Sequence, residues 1–378
     1  MTLNVLFNVN HLWGVGHFTR TATLANAVAA AGGTATILSG NTPVSGRLDS
    51  AVRLVALPAI RAEDTSYARL VTAEGEPVTD EIWSRRAALI SETLSETAPH
   101  ILVTETFPFG RRKLAREMLP LIEAARATGV RIAASIRDLP TPPGDAKRLD
   151  ECASRLRRHY DAVLIHGDPA VTPLNDIWPG EIPVPSTLTG YVASAADPVA
   201  QSARRGVIVS AGGGGDAAPV LSTALAAWRA GLLADEPWTF VTGQHAPGGL
   251  REALDDAARR HPGAEILRTA SDLPDRIARA RLSISRGGYN TMAETVASGT
   301  RSVIIPFAPP GEPEQTLRAT RFAALGLVTH LPEDTLTPEA LIAAANAALG
   351  APAPEPDALR MDGAGTSARR LAQIAAGG

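Results

Sequence analysis

The sequence predicts an α/β protein of two domains, each built on a doubly wound parallel sheet. Short apolar runs rich in Val and Ile alternate with longer segments of helical periodicity along the whole chain. Buried strands separated by helices are typical of parallel sheets that are covered on both faces. The pattern restarts near residue 206, and a chain of 378 residues is longer than one hydrophobic core usually supports.

The first half contains a complete set of strands and helices. The predicted strands lie at residues 4–8, 34–38, 52–57, 101–104, 131–136 and 162–165, and the predicted helices at 17–31, 81–97, 112–128 and 147–160. Residues 183–192 predict a last strand, and the small, polar residues after it are typical of a linker. We therefore predict a first domain over residues 1–192 and a linker over 193–204.

The second half repeats the alternation. Its predicted strands lie at residues 206–210, 239–242, 265–267, 282–285, 302–305 and 328–330. They define a second domain over residues 205–360, followed by a C-terminal segment, 361–378, that contains an amphipathic stretch at 366–375.

Composition excludes several classes of protein. The net charge of −3 argues against a non-specific nucleic-acid binder. Cys152 is the only cysteine, so an intramolecular disulfide and a thiolate zinc cluster are both excluded, as expected in a reducing cytoplasm. The N-terminus lacks the features of a signal peptide, and no apolar run is long enough to span a bilayer. We expect a soluble cytoplasmic protein, for which peripheral membrane contact stays open.

Residues 282–306 form the most informative stretch. A strand, a turn at Gly287 and Gly288, a helix and a second strand make a βαβ unit that aims a helix N-terminus at an anion. We expect Thr291 to cap this helix and Glu294 to lie in its first turn. This spacing is also that of a capping box, which needs no ligand.

A second glycine turn follows the strand at residues 206–210. It consists of Gly212, Gly213, Gly214, Gly215 and Asp216. Four glycines allow close approach of a phosphate to the backbone, and Asp216 is a good helix N-cap. A dinucleotide site is the competing interpretation. Such a site needs a ribose-binding acid at the end of the next strand, and neither the segment after Phe240 nor the segment after Ile37 has one.

Three further segments follow strands of the first domain. The loop after the first strand contains Gly14, Gly16, His17 and Arg20. His17 is either a base at a helix N-terminus, where the neutral imidazole is favoured, or a simple helix cap. Glu105 is a second candidate base. Phe107 and Phe109 either line an acceptor site or pack its rim. The Arg137–Asp138 pair either orients His17 or is an ordinary ion pair.

These motifs resemble the GT-B glycosyltransferases, in particular the MurG type and a bacterial group of predicted glycosyltransferases with an Arg/Met-Gly-Gly-Tyr-Asn-Thr signature. Here the signature begins at Arg286 and includes Asn290 and Thr291. The resemblance implies two Rossmann-like domains that face each other across a cleft, with a C-terminal helix crossing back to the first domain. It also implies that the glycine turns bind the donor diphosphate and Glu294 the ribose diol.

The same resemblance assigns the remaining donor residues. Ala270 falls where MurG-type enzymes offer backbone hydrogen bonds to uracil, and Glu314 with Gln315 occupies the place of the pair that binds donor-sugar hydroxyls. His17 matches the proposed acceptor-activating base. For Glu314 and Gln315, the alternative is that both are solvated side chains in the first turn of a helix.

We therefore expect an inverting glycosyltransferase that moves a sugar from a UDP-linked donor to a hydroxyl acceptor. The sequence has no Asp-x-Asp motif and no zinc-type spacing, so we expect neither a metal nor a cofactor. A sugar-nucleotide hydrolase and a 2-epimerase would use the same donor site. A non-catalytic protein that binds a sugar nucleotide is the alternative of another class.

Overall fold

The computed structural model describes residues 2–12, 14–41, 48–64, 67–139, 146–194, 196, 199–212, 217–243, 246–261, 263–309 and 313–377. The chain divides into two compact units. Unit one comprises Met1–Val192 and Asp362–Gly378, and unit two comprises Ala193–Met361.

The helices and strands follow the alternation that the sequence predicts. Before residue 193 they are β1 (Asn4–Val9), α1 (Gly16–Ala30), β2 (Thr34–Ser39), β3 (Val52–Ala56), β4 (Ile60–Ala62), β5 (Leu70–Thr72), α2 (Asp80–Thr97), β6 (Ile101–Glu105), α3 (Ala115–Ala127), β7 (Arg131–Arg137), α4 (Ala146–His159), β8 (Ala162–His166), α5 (Leu174–Ile177) and β9 (Ser186–Leu188).

The second half contributes β10 (Val207–Ser210), α6 (Ala218–Arg229), β11 (Trp238–Val241), α7 (Gly248–Arg260), β12 (Ala264–Leu267), α8 (Leu273–Arg279), β13 (Leu282–Ser285), α9 (Tyr289–Ala297), β14 (Ser302–Ile304), α10 (Glu314–Ala324), β15 (Thr329–His330), α11 (Pro338–Gly350) and finally α12 (Gly363–Ala375). Short 3₁₀ turns lie at Arg112–Leu114, Gln201–Ala203 and Glu333–Thr335.

Unit one is built on a parallel sheet of seven strands in the order β3-β2-β1-β6-β7-β8-β9. The strand order reverses direction between β1 and β6, where Val5 pairs with Ile101. In a doubly wound sheet, the loops on the two sides of such a reversal run in opposite directions and leave a crevice at the carboxyl ends of the strands. The loops after β1 and β6 therefore flank the natural ligand site of unit one.

Alternation along the strands of unit one supplies a core on each face of the sheet. Leu6 and Leu102 face α2 and α3, and Val5 and Phe7 face α1 and α12 on the other side. Both sets are fully buried, as expected for a sheet covered on two sides. Helix α12 packs against α1 and contributes Leu371 and Ile374 to this second core.

A buried ion pair braces the carboxyl edge of this sheet. The guanidinium of Arg86, on α2, donates to the Glu117 carboxylate on α3, to Asn10 Oδ1 at 2.9 Å and to the Gly40 carbonyl at 3.0 Å. Asn10 follows β1 and Gly40 follows β2, so Arg86 fixes two strand-end loops at once. A buried charge is stable here because each of the three guanidinium nitrogens donates to an oxygen.

Two parts of unit one differ from the sequence prediction. Residues 59–77 carry an antiparallel hairpin, β4 with β5, that the sequence analysis missed because its strands are only three residues long. The last strand is confined to Ser186–Leu188 rather than residues 183–192. Pro183 and Pro185 explain the late start, since proline lacks the N–H that a ladder requires.

Unit two is a parallel sheet in the order β12-β11-β10-β13-β14-β15. This is the 3-2-1-4-5-6 order of a dinucleotide-binding fold, and its reversal lies between β10 and β13. One face packs Val209, Phe240 and Ile284 against α6 and α11, and the other packs Ile208 against α8. The prediction of two α/β domains with doubly wound parallel sheets is confirmed.

Candidate active site

In unit one, the loops at the strand reversal bring His17 and Glu105 together. His17 is the second residue of α1, and Glu105 is the last residue of β6. Nδ1 of His17 lies 2.9 Å from Oε1 of Glu105. The His17 side chain keeps 15% of its surface exposed, whereas that of Glu105 keeps 3%. The pair therefore presents the imidazole to solvent and holds the carboxylate behind it.

Glu105 is surrounded by hydrogen-bond donors. Arg20 donates to Oε1 from one turn further along α1, and Ser135 Oγ donates to Oε2 at 2.6 Å. Burial alone would raise the pKa of this carboxyl, but Arg20, His17 and Ser135 together hold it below its ordinary value. Glu105 is consequently ionised at neutral pH and can only accept hydrogen bonds.

The contacts of Nδ1 favour one tautomer of His17. Glu105 Oε1, which can only accept, lies 2.9 Å from Nδ1, whereas the Arg20 guanidinium, which can only donate, lies farther away at 3.2 Å. The shorter contact favours a neutral imidazole with its proton on Nδ1 and its lone pair on Nε2. Burial and then the charge of Arg111 lower the pKa of His17 to about 3, against the raising effect of Glu105. His17 is thus neutral at pH 7, in the form that accepts a proton.

A second layer of hydrogen bonds lies behind Glu105. Nε2 of the fully buried His166 lies 2.9 Å from Ser135 Oγ, and its Nδ1 lies 2.9 Å from Thr189 Oγ1. Burial and the charge of Arg20 lower the pKa of His166 to about 3, so this ring is also neutral. Since Ser135 gives its proton to Glu105, His166 must donate to Ser135 and accept from Thr189. Sequence reasoning missed this layer, which carries no motif.

The Asp138 prediction requires correction. Asp138 is fully buried, accepts from the Tyr191 hydroxyl at 2.9 Å and from the backbone amide of Leu139 at 2.8 Å, and makes no contact with His17. It ties the loop after β7 to the end of unit one. Its neighbour Arg137, at the end of β7, is half-buried and acts electrostatically on Arg111.

The aromatic residues of the loop after β6 belong to the core. Phe107 is 1% exposed and lies beneath the guanidinium of Arg155, and Phe109 packs edge-on against Trp178 with ring centroids 5.5 Å apart. Of the two alternatives, packing is the one observed in the described residues. Gly14 adopts a left-handed φ of 65°, which a glycine accommodates without strain, and Gly16 begins α1.

In unit two, glycine turns follow the two strands at the reversal. Gly212, after β10, has a φ of 74°, and a Cβ added to it would meet no atom within 4 Å. Gly213, Gly214, Gly215 and Asp216 lie outside the described residues. After β13, Gly287 is tight, because an added Cβ would lie 3.2 Å from the Gln315 carbonyl, whereas Gly288 is open. Gly287 therefore brings the turn close against α10.

The predicted capping box is wrong. Gly288 is the N-cap of α9, no side chain among the described residues caps the helix, and Thr291 lies inside it as the third residue. Glu294 accordingly lies in the second turn, not the first. The N-terminus of a helix is a general binding feature for anions.

Glu294 is buried with little to satisfy its charge. The residue is 7% exposed, and the side-chain partner of its carboxyl among the described residues is Ser194. Burial raises the pKa of Glu294 to about 8, although the Ser194 hydrogen bond opposes this. A buried carboxyl with so few donors is costly to a fold and is typical of a ligand site.

Arg318 organises the remaining donor residues. Its fully buried guanidinium donates to the Gly287 carbonyl at 3.0 Å and to Glu314 Oε1 at 2.6 Å. Gln315 Oε1 accepts from the Phe307 amide at 3.1 Å. The structure thus brings Glu314 and Gln315 to the Gly287 turn, through an arginine that the sequence analysis did not single out.

Two predicted residues lie at the margin of this group. Arg286 is buried, and its Nη2 donates to Glu333 Oε1 at 2.6 Å while its guanidinium lies over the Phe307 ring. Asn290 is the second residue of α9 and is half-buried. Ala270 follows β12 and packs beside the small core over α8. Among the described residues, no group of three His, Cys, Asp or Glu could hold a metal ion.

Part of the chain is similar in sequence to known proteins. Residues 229–369 match the glycosyltransferase family 28 C-terminal domain. Over 131 residues the chain is 35% identical to the UDP-N-acetylglucosamine–N-acetylmuramyl-(pentapeptide) pyrophosphoryl-undecaprenol N-acetylglucosamine transferase of Rhodospirillum centenum, covering 34% of this chain and 35% of the relative. The enzyme of that name from Chromobacterium violaceum is 30% identical, with 52% of each chain covered.

Solved structures extend the likeness to the whole chain. MurG from Acinetobacter baumannii aligns with a TM-score of 0.55 and 14% identity over 99% of this chain and 98% of that one. CalG4, the calicheamicin glycosyltransferase, aligns with a TM-score of 0.61 and 16% identity over the same shares. The chain has the GT-B glycosyltransferase fold.

The sequence likeness to the family model is concentrated in the second half of the chain. The family match includes β13, α9 and α10, and therefore the Gly287 turn, Glu294 and Arg318. The aligned region of the Rhodospirillum relative spans only about a third of that enzyme. No helix among the described residues is both long and apolar enough to cross a membrane.

Proposed function

We propose that the protein is an inverting glycosyltransferase that uses a nucleotide-diphosphate sugar, with UDP as the nucleotide, and needs no metal ion. The observation that carries the proposal is the His17–Glu105 pair at the strand reversal of unit one. A neutral imidazole that is oriented by an ionised carboxylate and keeps 15% of its side-chain surface exposed has the arrangement of a general base.

In the proposed reaction, the acceptor hydroxyl gives its proton to His17 Nε2 as its oxygen attacks the anomeric carbon. The bond between that carbon and the diphosphate oxygen breaks, and the diphosphate takes the electron pair. One displacement of this kind inverts the anomeric configuration. Glu105 stabilises the imidazolium that forms, as the carboxylate of a catalytic triad does.

Unit two supports the donor half of the proposal. The uncapped N-terminus of α9 and the open backbone at Gly288 suit a diphosphate, because helix-end amides and the helix dipole stabilise developing negative charge. The buried carboxyl of Glu294 suits the ribose diol, whose hydroxyls would supply the donors that it lacks. The names of the curated relatives contain UDP-N-acetylglucosamine, which makes it the first donor to test.

The donor site is tested by thermal unfolding with UDP, GDP, dTDP and CMP. A ligand at 100 times its dissociation constant stabilises by about 2.7 kcal/mol, so we expect UDP to raise Tm. Glu294→Ala should weaken UDP binding at least about tenfold, or ~1.4 kcal/mol. Glu339→Gln, an exposed acid on α11, is the matched control. A nucleotide response that is identical in both variants would remove Glu294 from the site.

Transfer is tested with UDP-N-acetylglucosamine in EDTA, first alone and then with a panel of hydroxyl acceptors. A transferase releases UDP at a useful rate only when an acceptor is present. Rapid release of free sugar or sugar phosphate without acceptor would instead identify a hydrolase, and an isomeric sugar nucleotide a 2-epimerase. Loss of acceptor-dependent activity in EDTA, with recovery on adding Mg²⁺, would contradict metal independence.

A further inference from the structure

A network of buried hydrogen bonds extends from Glu105 into unit one, and the proposed reaction leaves it without a role. Ser135 Oγ lies 2.6 Å from Glu105 Oε2 and 2.9 Å from Nε2 of His166. Nδ1 of His166 lies 2.9 Å from Thr189 Oγ1. Glu105 and Ser135 pair in register on β6 and β7, His166 ends β8, and Thr189 follows β9. The network therefore runs across neighbouring strands at their carboxyl ends.

All four residues of this network are buried. Glu105, the least buried of them, is 5% exposed, and His166 is fully enclosed. Hydrogen bonds are stronger in such surroundings than in water, and an unpaired polar group is correspondingly costly. Burial and then the charge of Arg20 lower the pKa of His166 to about 3, so its neutral ring offers one donor and one acceptor. The ring can therefore link two hydroxyl groups in only two directions.

The charge on Glu105 selects one of these two directions. An ionised carboxylate can only accept, so the single proton of Ser135 is directed to Oε2. Ser135 then offers His166 only a lone pair, and the proton of the ring must lie on Nε2. Nδ1 consequently accepts from the hydroxyl of Thr189. Each group of the network then donates towards Glu105.

Thr189 makes the opposite direction available. Its hydroxyl oxygen also lies 3.2 Å from the Gly190 carbonyl, which can take its single proton instead. His166 would then donate from Nδ1 and accept at Nε2 from Ser135. In that direction an ionised Glu105 Oε2 would face an oxygen lone pair at 2.6 Å. The reversed network therefore suits a protonated Glu105, which can no longer compensate an imidazolium.

We propose that the network from Thr189 to Ser135 holds the Glu105 carboxylate ionised and oriented while the imidazolium forms. His166 is thereby a positioning residue of the transfer reaction, because it acts on His17 through Ser135 and Glu105. This inference rests on the proposed function. No proton moves along the network, whose groups only keep a fixed direction. Its effect belongs to the step in which positive charge develops on His17, so kcat should depend on it and the binding of the donor should not.

Nitrogen NMR of histidine-labelled protein tests the direction of the network, because the chemical shifts of a neutral imidazole show which nitrogen carries the proton. In the wild type we expect His166 as the Nε2–H tautomer, with His166→Gln to assign its signals. Glu105→Gln should convert it to the Nδ1–H tautomer. Arg20 keeps the amide oxygen of the new side chain, so the amide nitrogen faces Ser135, donates to it and reverses the network. Glu96→Gln, at an exposed acid of α2, is the matched control and should leave the tautomer unchanged.

The tautomer of His166 decides the question in both proteins. A wild-type His166 that carries its proton on Nδ1 would overturn the proposal, because Ser135 would then donate away from Glu105. A tautomer that Glu105→Gln leaves unchanged would overturn it as well, since the carboxylate would not be what directs the network.

The effect on catalysis is measured as acceptor-dependent release of UDP. His166→Leu can neither donate nor accept, and should lower kcat at least about tenfold, a part of the roughly 10²- to 10⁴-fold that a general base contributes, with the donor KM unchanged. His166→Gln should recover most of that loss, because its amide can donate to Ser135 and accept from Thr189. His159→Leu, at a buried histidine of α4, is the control and should keep the wild-type kcat. Equal losses in the leucine and glutamine variants of His166 would show that the ring only fills space, and would overturn the proposal.

The NMR experiment uses neither donor nor acceptor, so the two proposals can fail separately. If the wild type transfers sugar and His166→Leu keeps the full kcat, the positioning role is wrong and the proposed transferase stands. If no acceptor supports release of UDP while Glu105→Gln still converts the His166 tautomer, the proposed function is wrong and the direction of the network stands.

Discussion

At the residue scale, His17 and Glu105 divide between them the requirements of a base. Glu105 is held ionised by Arg20 and Ser135, so it cannot take a proton near neutral pH. It fixes the tautomer of His17 and stabilises the imidazolium formed during the reaction. His17, with its free nitrogen exposed, takes the proton.

Glu105→Gln tests this division. An amide in place of the carboxylate no longer selects the Nδ1–H tautomer and leaves the imidazolium uncompensated. We expect kcat for acceptor-dependent UDP release to fall by about 10²- to 10⁴-fold, with little change in the donor KM. Glu96→Gln, which breaks an exposed pair with Arg53, is the control. A Glu105→Gln enzyme of normal kcat would exclude Glu105 as the positioning residue.

Glu294 predicts a pH dependence of the stability of unit two. Its folded pKa of about 8 lies above the ordinary value of 4.5, so the folded state binds this proton more tightly than the unfolded chain. The stability it contributes is present below pH 4.5 and is lost as the pH rises through about 8. The slope approaches at most about 1.4 kcal/mol per pH unit.

Glu294→Gln should flatten that slope. Urea titrations between pH 5 and 8 can follow near-ultraviolet circular dichroism, because the stacked rings of Trp228 and Trp238 report on unit two. The exposed Glu339→Gln change should leave the wild-type slope intact. Equal slopes for wild type and Glu294→Gln would mean that Glu294 titrates normally.

The choice between Glu105 and Asp138 shows why the site could be predicted only in part. Both acids follow strands of one sheet, and the sequence offers no rule that pairs either with His17, 88 residues from Glu105. The strand order decides: β6 lies directly beside β1, and β7 lies one strand further away. The motif residues were visible locally, whereas Ser135, His166 and Arg318 carry no local pattern.

At the element scale, the turn between β13 and α9 works by close approach. Gly287 lies against the first turn of α10, where Arg318 joins Glu314 to the Gly287 carbonyl. The helix that would bind the diphosphate and the pair that would bind the sugar are thereby held in one arrangement.

Gly287→Ala should disturb that arrangement. The added Cβ would lie 3.2 Å from the Gln315 carbonyl and 3.4 Å from Ile304 Cγ2, so either the turn or α10 must shift by a few tenths of an ångström. We expect UDP affinity, measured by calorimetry, to fall at least about tenfold and stability by about 1–3 kcal/mol. Gly249→Ala, in open space on α7, should leave UDP affinity unchanged. Wild-type UDP binding by Gly287→Ala would show that the close approach is not required.

At the scale of the whole molecule, the fold was predictable because its signal is repeated. Each strand and helix carries its own hydrophobic periodicity, so the pattern that indicates alternating strands and helices is repeated many times along the chain. The β4–β5 hairpin is the exception, since two strands of three residues offer too few positions for a period to appear. Predicted bounds fail where prolines shorten a strand, as at β9.

Helix α12 makes unit one depend on residues that follow unit two. Leu371→Ala removes a fully buried side chain from the core shared with α1, and should cost about 2–5 kcal/mol. The loss should appear as a lower urea midpoint for unit one, with the Trp228–Trp238 signal of unit two unchanged. Gln373→Ala, exposed on the same helix, is the control. A shift of both signals together would mean that the units unfold as one.

Helix α12 also affects the order in which the two units can fold during protein synthesis. Unit one lacks part of its second core until residues 363–375 have left the ribosome, whereas unit two is fully synthesised by residue 361. The first half of the chain must therefore wait, with Val103, Ala133 and Leu164 incompletely covered, while the second half is translated and can fold. A nascent chain stalled before residue 362 would be a good substrate for a chaperone that binds exposed apolar surface.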